Sequence, residues 1–252
     1  MLRKVLSLWL ILLSFSVLNG CSDSTSGEVV RVAVSPAMPP LLYKKDGKIV
    51  GADYDIFKAF CKKLGCTMKV TAYDFKDMLD AVASGQADVA FSAISITEDR
   101  KKIMDFSAPY FYNDWHIVST NQDIAPMTDL ANLQKYKLGY PKGSVYAELV
   151  QWELEPRGYY ASSQAKLYPS YTEILAEMQS GDLDLTIFDE PVYRFFKSDP
   201  NNTIQSIYTF SDRDTLGFAF AKGSTLREKF DNFLIELGPK AIDEMINNAY
   251  HY

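Results

Sequence analysis

Residues 92–110 read SAISITEDRKKIMDFSAPY, and they bring Ser92, Ser95, Thr97 and Arg100 together directly after the apolar run at 87–91. Ser95 followed three positions later by Glu98 predicts a capping box, with the Ser95 hydroxyl accepting from the backbone and Glu98 reaching back, worth on the order of 1 kcal/mol. Arg100 then falls in the first helical turn, where the macrodipole disfavours a cation. An anion at the helix N-terminus removes that conflict. Free N–H groups attract it, and the guanidinium adds a planar fork suited to a carboxylate. The stretch therefore reads as a carboxylate receiver. The competing reading pairs Arg100 with Glu98 or Asp99 on the surface.

The elements that must position this arginine alternate between strand-like and helix-like runs, the mark of an α/β fold. Residues 29–34 predict a strand, 53–64 a helix closed by Gly65, and 67–73 a second strand. Residues 75–84 predict a helix with Met78, Leu79 and Val82 on one face, and 87–91 another strand, which gives the rhythm of a parallel sheet. FKDMLDAVASGQADVAF at 75–91 is then matched by YTEILAEMQSGDLDLTI at 171–187; Ser84 and Ser180 stand 96 residues apart, as do Asp88 and Asp184. That spacing is too long for a solenoid and fits two similar α/β lobes. The same offset carries Ala93 to Asp189, each at the end of an apolar strand, where open α/β sheets bind ligands. Residues 111–120 and 209–221 predict two extended crossings between lobes. Two closing helices at 224–237 and 239–248 should pack on the first lobe.

Composition suits a folded protein with a real core: 252 residues, 47% hydrophobic and 23% charged. Arg3, Lys4 and the apolar run 5–17 read as an export signal, and LNGC at 18–21 resembles a lipobox, which makes Cys21 the lipidated first residue and 22–27 a polar tether. An ordinary secretory signal is the alternative. The run is shorter than the roughly 20 apolar residues of a spanning helix, so the mature chain should not cross a membrane. Removing residues 1–21 takes the formal charge from −6 to −8, which argues against a nucleic-acid partner. Cys61 and Cys66 can pair across the turn at Gly65 or remain buried thiols. With no histidine near them they do not make a metal site. The two histidines are His116 and His251, and no nucleophile elbow, phosphate loop or zinc spacing occurs, so catalysis has little support.

GADYDIFKAFCKKLG from Gly51, the 92–110 stretch, GYPKGSVYAELV from Gly139 and GDLDLTIFDEPVYRFF from Gly181 together resemble the family 3 solute-binding proteins, the amino-acid-binding proteins of bacterial ABC importers. The resemblance spans residues 29–248. It implies a two-lobed periplasmic-binding-protein-like (type II) α/β fold: two mostly parallel sheets flanked by helices and joined by a two-strand hinge. Lobe 1 would comprise 28–112 and 213–252, and lobe 2 would comprise 113–212. A free polar amino acid is the implied ligand. Its carboxylate would be held by Arg100 with Ser95, backbone groups near Ala93, and Gly143, Ser144 and Val145; its ammonium would be held by Asp189. By position, Ser35, Met38 and Phe75 should line the side-chain pocket. Family members that take cationic amino acids often carry an acid where Ser35 aligns and an aromatic where Met38 aligns. This chain has neither, so Glu190 or Asp74 would have to serve a basic ligand. The resemblance further implies an extracytoplasmic or periplasmic, lipid-anchored monomer that serves an ABC permease, without cofactor, metal or nucleic acid. The rival reading is a periplasmic lyase or dehydratase on the same fold.

Overall fold

The computed structural model describes residues 27–252. Cys21 and the tether as far as residue 26 lie outside them. The first lobe starts with β1 (Val29–Val34), whose valines alternate between solvent and core and then run fully buried, as a strand flanked on both edges does. A short antiparallel meander follows: β2 (Ala37–Met38), β3 (Leu42–Lys45) and β4 (Lys48–Val50). The chain enters α1 (Ala52–Leu64) at Gly51, where glycine is required: φ is 131°, and a Cβ would stand 2.3 Å from the Leu41 carbonyl oxygen. Asp53 and Asp55 in the first turn and Lys62 and Lys63 in the last suit the macrodipole, and Gly65 ends the helix in the left-handed conformation. Cys61 and Cys66 are bonded across that end, with Cα atoms 4.7 Å apart.

Next come β5 (Thr67–Ala72), α2 (Phe75–Ala83) and β6 (Val89–Ser95), with β1 parallel to both β5 and β6. A short helix, α3 (Glu98–Ile103), and β7 (Met104–Phe106) lead to the first crossing strand, β8 (Phe111–Ser119). The capping box expected at Ser95 is not formed. β6 stays in its ladder through Ser95, which pairs with Leu216, so Ser95 is still strand where a cap was expected. Thr97 caps instead, its Oγ1 accepting from the Arg100 N–H at 3.2 Å, and Glu98 pairs with Lys101 at 2.7 Å.

The second lobe holds β9 (Gly139–Pro141), α4 (Tyr146–Leu149) continued by a π-helical turn at Val150–Leu154, β10 (Lys166–Tyr168), α5 (Tyr171–Ser180), β11 (Thr186–Asp189) and α6 (Glu190–Ser198). β9 and β10 are parallel, and a parallel bridge between Leu138 and Leu185 sets β11 beside them. The long β12 (Gln205–Ala221) returns to the first lobe, and α7 (Thr225–Ala249) closes the chain. Gly238, at φ 76° and followed by Pro239, breaks α7 into the two expected helices.

Because β8 and β12 belong to both lobes, the strands form one hydrogen-bonded order, β11-β8-β12-β6-β1-β5, with β7 alongside β12. Its parallel pairs are internal to the first lobe, and its antiparallel ones are those made by the crossing strands. The first lobe's core is aromatic. Phe230 of α7 sits 4.6 Å from Phe218, 5.1 Å from Phe60 and 5.6 Å from Phe57, measured between ring centroids. That cluster ties α7 to α1 and β12, so it also anchors one end of a crossing strand. Truncating Phe230, which is fully buried, to alanine should cost about 3–5 kcal/mol. Ile235→Ala on the exposed face should stay within about 0.5 kcal/mol. Urea unfolding of the two variants measures the difference.

Candidate ligand-binding site

A narrow cavity of about 20 Å³ lies where the ends of β6 and β11 face one another across the lobes. Of the residues expected at a site, Met38, Phe75, Ala93, Ser95, Arg100, Ser144, Val145 and Asp189 line it. Ser35 and Gly143 do not. Ser35 is buried just past β1, its carbonyl accepting from the Ser92 hydroxyl at 2.6 Å. Gly143 takes part through its carbonyl, as follows.

Arg100 is turned inward from α3 although its neighbours Lys101 and Lys102 point to solvent and pair with Glu98 and Asp99. Its Nη1 donates to the Ser95 carbonyl at 2.8 Å, and its Nη2 crosses to the second lobe to donate to the Gly143 carbonyl at 2.9 Å. The guanidinium also lies 5.7 Å from the centroid of the Phe75 ring. Among the described residues no carboxylate forms an ion pair with it. Burial pushes its pKa down to about 10, opposed by the more distant charges of Glu148, Asp214 and Asp189. Two of its five donors are committed to neutral carbonyls, so the site retains a cation with hydrogen-bonding capacity for an anion.

Asp189 ends β11 and is buried. Its Oδ1 accepts from Asn113 Nδ2 and from the Tyr146 hydroxyl, both at 2.8 Å. Asn113 Nδ2 also donates to Asp214 Oδ1 at 2.8 Å, and the Trp115 indole N–H reaches the same oxygen at 3.1 Å. One amide thus bridges two acids. Asn113 and Asp214 are cross-strand partners on β8 and β12, so this bridge sits where the lobes join. Burial, then repulsion from Asp214, raises the Asp189 carboxyl to about 7. Burial raises Asp214 as well, against the opposing hydrogen bonds of Ser95, Asn113 and Trp115. The pair is short of positive charge.

Asp53 supports the same region from below. Its Oδ2 accepts the Ala93 N–H at 2.9 Å and its Oδ1 the Tyr110 hydroxyl at 2.6 Å. Ala93 has φ of +49°, an uncommon conformation for a residue with a Cβ, and this carboxylate holds it there. The Ala93 N–H is therefore committed to Asp53 and is not a free donor for a ligand. Burial lifts Asp53 to about 6. Burial likewise drives Tyr110, Tyr146 and Tyr171 well above the usual phenol value, so their hydroxyls remain protonated and act as donors.

Pro141, Tyr146 and Tyr171 also line the cavity, and none was expected from sequence. Tyr171 was within reach of it, because the 96-residue offset carries Phe75 to Tyr171 just as it carries Ala93 to Asp189. Tyr146 directly follows the Gly143, Ser144 and Val145 segment. Asn113, Asp214 and Asp53 act behind the cavity wall, and pairing the first two needs the register of β8 against β12. Neither acid held in reserve for a basic ligand lines the cavity. Glu190 is paired with His116, and Asp74 is an exposed residue before α2.

The sequence model of the bacterial extracellular solute-binding proteins, family 3, matches residues 30–248. The arginine-binding extracellular protein ArtP of Bacillus subtilis is 29% identical over 243 residues, 91% of this chain and 92% of its own. An ancestral arginine-binding protein bound to arginine superposes with a TM-score of 0.76 at 30% identity, covering 87% of this chain and 97% of that one. The same ancestral protein bound to glutamine gives 0.77 at 30% identity, with 89% and 98% covered. The Streptococcus pneumoniae substrate-binding protein AbpA bound to L-arginine gives 0.77 at 28% identity, with 88% and 94% covered. These relatives are binding proteins, and they leave the lyase or dehydratase reading without support. The two-lobed type II fold, the match over residues 30–248 and the cavity between the lobes lead to one assignment: this chain is a binding protein rather than an enzyme, and it belongs to the bacterial extracellular solute-binding proteins, family 3.

Proposed function

We propose that this protein captures a free α-amino acid outside the cytoplasm and presents it to an ABC importer. One observation carries the reading. A buried guanidinium without a carboxylate partner and a buried carboxylate short of positive charge face one cavity from opposite lobes. A zwitterion answers both. Its carboxylate would sit on Arg100 with the Ser95 hydroxyl, and its ammonium on Asp189, so that neither charge is desolvated alone. The names of the relatives, arginine-binding proteins and an amino-acid ABC transporter's substrate-binding protein, support the class of ligand and the transporter.

In this reading the lobes comprise 28–112 with 213–252, and 113–212, hinged at β8 and β12. A ligand that binds groups of both lobes favours the arrangement that brings them together. Cys21 would carry a lipid anchor and the binding protein would act as a monomer. Calorimetric titration with the twenty common amino acids tests the function, and affinity no tighter than about 1 mM for every one of them sinks it.

Two sharper outcomes follow. Arg100→Ala should weaken binding by about 2–5 kcal/mol, as expected when one partner of a buried charge pair is removed. Lys101→Ala, one residue away on the solvent side, should bind like the parent; equal losses in both would refute the carboxylate site. The Asp189 carboxyl lies at about 7 in the protein alone and must be ionised to receive an ammonium. Binding should therefore release a proton near pH 6.5, and affinity should fall below pH 7 by up to about tenfold per pH unit. Titration in two buffers of different ionisation enthalpy measures the released proton. Affinity that stays flat from pH 5.5 to 8 would show that Asp189 is already ionised before the ligand arrives.

A further inference from the structure

We propose that the amino acid taken by this cavity carries an uncharged side chain, received by the surface of Met38, Phe75, Val145 and Tyr171. This deepens the function proposed above and rests on it. Arg100 and Asp189 are the charged residues among those lining the cavity. Both are matched by the carboxylate and ammonium that every α-amino acid carries. A third charge on the ligand would be taken out of water without a partner, the costliest mismatch a small site can impose.

The other acids near the site are turned to different tasks. Asp53 holds Ala93 and Tyr110. Glu190 pairs with His116. Asp214 and Glu148 line a neighbouring cavity that shares Val145 with this one, and Asp214 is engaged by Asn113 and Trp115. Apart from Ser95, assigned above to the ligand's carboxylate, the hydroxyls that reach the cavity already donate elsewhere. Ser144 donates to the Pro141 carbonyl at 2.7 Å, Tyr146 to Asp189 at 2.8 Å and Tyr171 to the Ile187 carbonyl at 2.8 Å. What remains for a side chain is thioether, ring and aliphatic surface, which rewards apolar contact and offers no counter-charge. Ancestral arginine-binding proteins of this fold hold arginine in one structure and glutamine in another, so the scaffold accommodates both kinds of ligand.

The test is calorimetry at pH 8, where Asp189 is ionised, with methionine, leucine, glutamine and serine against arginine, lysine, aspartate and glutamate. The best uncharged ligand should bind at least tenfold tighter than any charged one. Arginine, lysine or an acidic amino acid binding as tightly as the best uncharged ligand overturns the inference while leaving the amino-acid-binding function intact. Silence toward all twenty common amino acids overturns both. A second arm uses Met38→Glu, checked for native circular dichroism, with Met38→Gln in its place should the glutamate variant not fold. The glutamate variant should gain at least tenfold in arginine affinity over the parent, and the glutamine variant should gain in glutamine relative to leucine. No change in preference in the folded variant overturns the assignment of this wall to the ligand's side chain.

Discussion

Taking a guanidinium out of water without giving it a carboxylate is the constraint on which the rest of this structure turns. Arg100 is held by two backbone carbonyls and one aromatic face, and its balancing negative charges are all at a distance. Such an arrangement survives only where the backbone around it is firmly set. β6 must run four residues past Phe91, its last pairing with β1, to present the Ser95 carbonyl, Thr97 must fasten the start of α3, and the second lobe must approach closely enough for the Gly143 carbonyl to arrive. Opposite, Asp189 shows the reverse imbalance, a buried acid crowded by a second acid and relieved by an amide and a phenol. Each half is poorly satisfied alone. Together they describe the shape and charge of one small dipolar molecule.

The crossing strands are part of this arrangement as well as connectors. Asn113 and Asp214 face each other on β8 and β12, and Trp115 reaches Asp214 from the next inward-facing position. The groups that tune Asp189 thus belong to the hinge itself.

Much of the fold and the site was legible in the sequence, and the exceptions have physical reasons. Element order followed from apolar periodicity, and the 96-residue repeat located the two strand ends that face the cavity before any contact was known. The capping box at Ser95 failed because a local motif competed with a long-range ladder to Leu216, and the ladder prevailed. Ser35 was placed in the pocket by position along the chain, but its own direction past β1 follows from the hydrogen bond it receives from Ser92. Asn113 and Asp214 could not be paired from sequence, since register between strands a hundred residues apart is set by the whole sheet. Tyr171 is the different case: the repeat pointed to it through Phe75, and it went unread.

The pseudo-repeat also has a stereochemical consequence. The two lobes offer equivalent positions in the chain, Ala93 and Asp189, yet fill them with opposite demands, a backbone fixed by Asp53 on one side and an acid held by an amide and a phenol on the other. With the anion receiver on one lobe, the cation receiver on the other and an apolar wall beside them, three substituents of the ligand's α-carbon each have one place to go. The fourth, a hydrogen, takes the remaining direction. Three such fixed points define a handedness, so a mirror-image ligand that satisfies both charges would drive its side chain away from the wall. In the proposed binding mode, enantiomer selection would come from the asymmetry between two otherwise similar halves.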